Sequence, residues 1–167
     1  MFKSPVYNVM QVNVEKIKAN YYNPNHVMKQ EMKLLYNSIK VDGYTMPIVC
    51  YYDSCNDIYI VVDGFHRLKI MLEHKDIYER ENGMMPVVVI DKPLNERIAS
   101  TIRHNRARGV HGTQQMSNIV VELLKLGWSD HEVCKQLGMD SDELLRLKQI
   151  IGVDEIYMNE DYGRAWE

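Results

Sequence analysis

Several protein classes are excluded by what this sequence lacks. No run approaches the roughly 18–20 consecutive apolar residues of a membrane helix. The longest apolar stretches, Ile58–Val62 and Met84–Ile90, are strand-sized, and the second contains Pro86. The start, Met1-Phe2-Lys3-Ser4-Pro5, has no apolar core of a secretory signal. Cysteine is scarce: Cys50, Cys55 and Cys134 form no Cys-x-x-Cys, and three thiols cannot all pair. That fits free thiols in a reducing cytoplasm, the expected location. Low-complexity segments and internal repeats are absent. An excess of positive charge is missing too: 20 Lys and Arg stand against 23 Asp and Glu, a net charge of −3. A surface that grips nucleic acid everywhere is therefore excluded, although a local basic patch is not. The 167 residues, 46% of them hydrophobic, suffice for one globular domain, alone or with a small helical appendage.

The pattern along the chain sets out the elements. Val9 to Val14 alternates roughly apolar and polar, as a strand does. Ala19 to Asn25, rich in Asn and containing Pro24, reads as a loop. Met32, Leu35, Tyr36 and Ile39 recur at helical steps between Lys29 and Val41, and Gly43 is placed as a left-handed cap. Pro47–Tyr52 and Ile58–Val62 are β-rich and joined by turn residues Asp53 to Asp57, the pattern of a hairpin. After Asp63-Gly64 a helix is expected with Leu68, Met71 and Leu72 on one side. A strand follows at Met84–Ile90, then a helix from Asn95 to His104.

Beyond Gly109, Met116, Ile119, Val120, Leu123 and Leu124 form a helical stripe ending at Gly127. Ser129-Asp130-His131-Glu132 matches a capping box before Val133, Cys134 and Leu137, and Gly138 stops that helix. A third helix carries Leu144, Leu145 and Leu147. This is the order of a helix-turn-helix. The expected organisation is a mixed α/β (α+β) domain over residues 1–110, a helix-turn-helix-like module over 111–153 and an aromatic, acidic tail over 154–167.

Two segments stand out chemically. Asp63-Gly64-Phe65-His66-Arg67 lies where a buried strand meets a helix. Such a junction turns backbone N–H groups and a positive dipole end outward, Gly64 permits close backbone approach, and His66 and Arg67 add donors; together these suit a phosphate. A plain turn, with Asp63 as a turn or cap residue and Arg67 on the surface, accounts for the same residues. Arg103-His104-Asn105-Arg106-Ala107-Arg108 gathers three arginines in an otherwise acidic chain. Arginine suits bidentate phosphate contacts, while a solvated basic helix end is the plainer reading. Asn20, Asn23 and Asn25 are candidates for a base or sugar pocket, or simply turn residues. His104 and His111 lack a third metal ligand at convincing spacing.

The order of these segments resembles the N-terminal domain of ParB/Spo0J partition proteins, which shares a fold with sulfiredoxin. The resemblance runs over about residues 10–110 and rests on the Asn23-Pro24 loop, Ser38-Ile39, Gly43, Pro47-Ile48-Val49, and Tyr59 through Arg67. The helix-turn-helix fits the same order, and the chain is most similar to short, stand-alone ParB-like proteins of prophages, including IbrB-type regulators. The resemblance implies a mixed sheet with helices and a site for a nucleoside triphosphate, CTP or ATP, with Mg²⁺. In the family a Gly-Glu-Arg-Arg motif holds the triphosphate. Gly64 and Arg67 match its ends, while Phe65 and His66 replace its middle. A Glu-Asn-x-x-Arg motif binds magnesium and phosphate. Asn105 and Arg108 match it, Arg106 lies between them, and His104 replaces the Glu. That replacement weakens a magnesium site, leaving Asn105 to meet an ion carried by the nucleotide.

Sulfiredoxins carry Gly-Gly-Cys-His-Arg. Phe65 stands in place of that cysteine, which speaks against sulfinic reductase chemistry. The free-serine kinases of this fold carry Asp-Gly-His-His-Arg, matched by Asp63, Gly64, His66 and Arg67. That match implies Asp63 and His66 as candidate catalytic residues of a phosphotransferase or NTPase. Three functions follow: a nucleotide-binding regulatory switch, a small-molecule kinase or NTPase, and a DNA-binding regulator or nuclease. The helix-turn-helix speaks against DNA. Between His111 and Val153 four basic residues face six acidic ones, and the presumed recognition helix opens with Asp142-Glu143. Residues 111–167 are therefore expected to form a structural or protein-binding module, with DNA the weaker alternative and no membrane involved.

Overall fold

The computed structural model describes residues 3–22, 29–106 and 113–150; for residues 29, 105, 106 and 113–115 it describes the backbone alone. The chain divides into two compact units, Met1–Gly109 and Val110–Glu167.

In the first unit, strands β1 (Met10–Asn13), β2 (Ile17–Lys18), β3 (Ile48–Asp53), β4 (Ile58–Asp63) and β5 (Met84–Val89) form one mixed sheet in the order β1-β5-β3-β4-β2. The β3–β4 pair is the expected hairpin, with Cys50 opposite Val61 and Tyr52 opposite Tyr59. Asp53 organises its turn: one carboxylate oxygen accepts from the Cys55 N–H at 3.0 Å, the other from Asn56 Nδ2 at 2.7 Å. β5 runs parallel to β3 and antiparallel to β1. Pro86 falls opposite Gln11 of β1, one residue before pairing with β3 begins at Val87, so its missing N–H lies outside that ladder.

Among the described residues four α-helices accompany the sheet: α1 (Lys29–Asp42), α2 (Phe65–Glu73), α3 (Lys75–Arg80) and α4 (Leu94–Arg106). The two-residue period of the strands turns Ile48, Cys50, Val61, Met85 and Val87 into one core with Ile39 of α1, Leu68 and Met71 of α2, and Ile77 of α3. Burying each large side chain of this set contributes about 1.5–3 kcal/mol. On α4, Ile98 and Ile102 are fully buried, the Thr101 hydroxyl donates to the Val62 carbonyl at 2.7 Å, and the Arg97 guanidinium lies 3.8 Å over the Tyr51 ring. Central strands covered on both sides need apolar residues at consecutive positions, which accounts for Ile60-Val61-Val62 and Val87-Val88-Val89.

One expectation is corrected here, and two elements are added. Leu72 is 61% exposed, and Ile70 is buried in its place. The apolar face of α2 is turned toward α1 and α3, so Ile70 joins Ile39 and Ile77 in the core. Strand β2 and helix α3 were not read from the sequence. β2 is two residues long and exists by pairing parallel to β4, Ile17 opposite Tyr59. α3 is six residues, too short to display a helical period.

The second unit contains α5 (Thr113–Lys125), α6 (Asp130–Leu137) and α7 (Ser141–Ile150). Among the described residues, Met116, Ile119, Val120, Val121, Leu123, Val133, Leu137, Met139, Leu144 and Leu147 are its buried apolar residues. The capping box is present: the Glu132 N–H donates to Ser129 Oγ at 3.3 Å, and the Ser129 N–H donates to Glu132 Oε2 at 2.8 Å. Gly138, at φ +65°, ends α6, and Asp140 accepts from the Glu143 N–H at 2.7 Å to start α7. Leu145, expected among the apolar residues of α7, is instead 55% exposed, because Leu144 and Leu147 already fill the inward face.

Candidate functional site

β4 ends at Asp63 and α2 begins at Phe65, leaving Gly64 alone between them. Gly64 has φ +97° and ψ 21°, a backbone that residues with a Cβ rarely adopt. Space imposes the same choice. A Cβ there would stand 2.7 Å from Ile48 Cγ2 and 2.6 Å from Arg67 Nη2. The guanidinium is thus folded back over Gly64, with Nη2 3.3 Å from Asp63 Oδ2, and the two side chains are 12% and 5% exposed. This corrects the plain-turn reading of both residues. Arg67 is not a surface arginine, and Asp63 is not the helix cap. Asp63 is the last residue of β4, and Gly64 takes the cap position.

The first turn of α2 is tied down from several directions. The N–H groups of Arg67 and Leu68 both reach the Gly64 carbonyl, at 2.9 and 3.1 Å. The Tyr44 hydroxyl donates to the Arg67 carbonyl at 3.1 Å. Burial pushes that hydroxyl well above the usual tyrosine range, so it remains a donor at ordinary pH. Phe65 and His66 open the helix, and their rings meet edge-on at 5.7 Å. A helix start with a glycine cap and a neighbouring guanidinium has the donors and the sign of charge for an anion.

Side chains fix β4 just upstream. Asn20 Nδ2 donates to the Val61 carbonyl at 2.6 Å, and Thr101 Oγ1 donates to the Val62 carbonyl at 2.7 Å. Among the described residues, Asn20 Oδ1, Tyr22 Oη and Arg97 Nε are buried polar atoms without a hydrogen-bond partner. Burial also pushes the Tyr22 hydroxyl upward. Buried unpaired polar atoms are costly and call for a water or ligand atom. Of this group, sequence reasoning had considered Asn20 alone.

The remaining candidates are distributed as follows. Asn105 and Arg106 end α4, with the backbone alone described, while Arg108, Asn23, Asn25 and His111 lie outside the described residues. His104 lines a separate cavity of about 520 Å³ with Val6, Val49, Val88 and Ser100. Arg103 Nη2 is 3.1 Å from Ser100 Oγ. Among the described residues no cluster of His, Cys, Asp or Glu could hold a metal ion. None of the described helices is long and apolar enough to cross a membrane. Cys50, Cys55 and Cys134 are unpaired, and burial pushes the Cys50 thiol up to about 12, which makes it unreactive.

A five-stranded mixed sheet flanked by helices, with a glycine-capped strand-to-helix turn and a separate helix-turn-helix unit, defines a ParB-like architecture. The sequence agrees: the ParB N-terminal domain model matches residues 3–106, and the chain belongs to that family. The model of the IbrB-like C-terminal HTH domain matches residues 111–159. The chain is 48% identical over 164 residues to the uncharacterized protein YbdM of Escherichia coli (strain K12), covering 98% of this chain and 78% of that protein. Among solved structures it is similar in fold to two forms of C-terminally truncated ParB from Caulobacter crescentus. The form complexed to the centromeric parS site has a TM-score of 0.56 at 15% identity and covers 89% of this chain and 76% of that one. The form complexed with CTP-gamma-S has a TM-score of 0.50 at 15% identity, with 87% and 79% covered.

Proposed function

We propose that this protein is a nucleotide-responsive switch. A nucleoside triphosphate, CTP or ATP, places its phosphates at Gly64, Phe65, His66 and Arg67, with Asn105, Arg106 and Arg108 completing the site. The observation that carries this reading is the Gly64 turn. Backbone conformation and the buried Ile48 side chain against it both favour glycine, at a junction that brings a helix start and a cation together. The ParB structure complexed with CTP-gamma-S supports the choice of ligand. Mg²⁺ would enter on the phosphates, since Asp63, the carboxylate at the turn, faces Arg67. Calorimetric titration with CTP, ATP, GTP and ADP, with and without Mg²⁺, tests the reading. No binding at millimolar nucleotide to folded protein would sink it.

The Asp63–Arg67 pair supports binding over phosphoryl transfer. A general base must reach the substrate hydroxyl, and this carboxylate is enclosed beside a guanidinium. Any nucleotide turnover that survives Asp63→Asn unchanged removes Asp63 from catalysis. For the helical unit we favour a protein partner. Asp142 and Leu145 are exposed on α7, Leu145 by 55% and Ile150 by 45%, a mixture poorly matched to phosphate. The ParB structure complexed to parS keeps DNA as the competing reading. A mobility shift across a salt series decides it, because a phosphate-gripping helix loses affinity steeply with salt.

A further inference from the structure

Arg67 already has an anion. Its Nη2 lies 3.3 Å from Asp63 Oδ2, with both side chains largely enclosed. The guanidinium also rests against Gly64, where an added Cβ would come within 2.6 Å of it. A phosphate reaching the start of α2 competes for Arg67 Nη2, the donor that the carboxylate now faces at 3.3 Å. Asp63 supplies a negative charge beside this buried guanidinium. With a ligand, it stands as a like charge beside the phosphate.

We infer that Asp63 is a built-in competitor for Arg67: an internal carboxylate that holds the guanidinium in the ligand-free protein and sets the affinity of the turn for phosphate by opposing it. The inference rests on the nucleotide-binding reading above. A ligand must draw the guanidinium away from Asp63, which favours adjacent charged phosphoryl groups over a lone phosphate. Exchange of partner at Arg67 also loads the first turn of α2, whose Arg67 carbonyl is held by the Tyr44 hydroxyl at 3.1 Å. Asp63 is therefore a positioning residue that tunes the site through Arg67.

The test is calorimetry on the full chain, wild-type and Asp63→Asn, with Mg-CTP, Mg-ATP and inorganic triphosphate as probes. Asp63→Asn should bind about tenfold more tightly, the worth of one charge-assisted hydrogen bond no longer in competition. The gain should appear with inorganic triphosphate as well, because it concerns phosphate and not the base. In an Arg67→Lys background the gain should shrink, since lysine lacks the fork; a structural role for Asp63 would lower stability in either background without raising affinity. Wild-type binding with equal or weaker binding by folded Asp63→Asn overturns the inference and leaves the nucleotide reading standing. Binding by Asp63→Asn alone supports both. No binding by either ends both. Should Asp63→Asn fail to fold, the carboxyl carbon signal of Asp63 in wild-type protein serves instead. It should shift at ligand saturation, and an unmoved signal in a saturated protein overturns the competition.

Discussion

Each unit of this protein encloses a cation and answers it with an aspartate, yet the two pairs differ in kind. In the α/β unit Arg67 and Asp63 are 12% and 5% exposed. In the helical unit Lys148 is 10% exposed and Asp130 57%. The helical pair has the closer contacts, Lys148 Nζ lying 2.6 and 2.7 Å from the two Asp130 oxygens. Distance alone does not rank them. Water reaches Asp130 and screens its charge, whereas Asp63 has little water to fall back on if Arg67 leaves. Place in the fold differs as well. Lys148 joins α7 to the start of α6 and braces the helix-turn-helix. Arg67 lies over a glycine turn at an anion-suited helix start. One pair is an architectural brace; the other stands where a ligand would arrive.

The sharpest way to break this contrast is Arg67→Ala. It takes the guanidinium away from an enclosed carboxylate, and should cost about 3–5 kcal/mol by urea denaturation. A loss under about 1 kcal/mol would put the pair on a par with an exposed one. Gly64→Ala comes next, at about 2–4 kcal/mol. It forces a Cβ into a left-handed backbone and against Ile48 and Arg67. Hydrogen exchange should show its effect at β4 and α2. Asp130→Ala removes the solvent-exposed half of the helical pair and should cost about 1–2 kcal/mol, read as lost protection at α6 and α7.

The smallest effect belongs to the α6 cap. Ser129→Ala should cost about 1 kcal/mol. Ser129, first through its backbone N–H and then through its hydroxyl, holds the Glu132 carboxyl below the ordinary glutamate value of 4.5. The folded value lies below the unfolded one, so this stabilisation is complete above pH 4.5 and fades as pH falls through the folded value. The gap in helix stability between wild-type and Ser129→Ala, followed by circular dichroism from pH 7 to pH 3, should narrow on the acid side. A gap independent of pH would remove Glu132 from the cap.

The two units were also unequally legible. In the helical unit the signals are local: Ser129 and Glu132 are three residues apart and Gly138 directly follows α6, so its helices could be delimited from the sequence. Which of the adjacent Leu144 and Leu145 turns inward is not legible, because a period of 3.6 residues cannot choose between neighbours before a packing helix covers one face. In the α/β unit the long strands and α1, α2 and α4 carried their own periodicity, but β2 and α3 did not. At the candidate site Asp63, Gly64, His66 and Arg67 could be singled out by residue type. Tyr22, Arg97 and Thr101 could not, because they matter through contacts made far along the chain.

The sequence by itself determined the strand and helix periods, the capping box, the glycine stops and the Asp63-Gly64-Phe65-His66-Arg67 turn, all of which act over a few residues. Only the tertiary structure decided that Asn20 meets Val61 and Thr101 meets Val62, across 41 and 39 residues. It alone turned Arg67 inward to Asp63, although the two are only four residues apart. The physical reason is that spacing limits which side chains can meet, while burial decides whether a charge faces water or its neighbour.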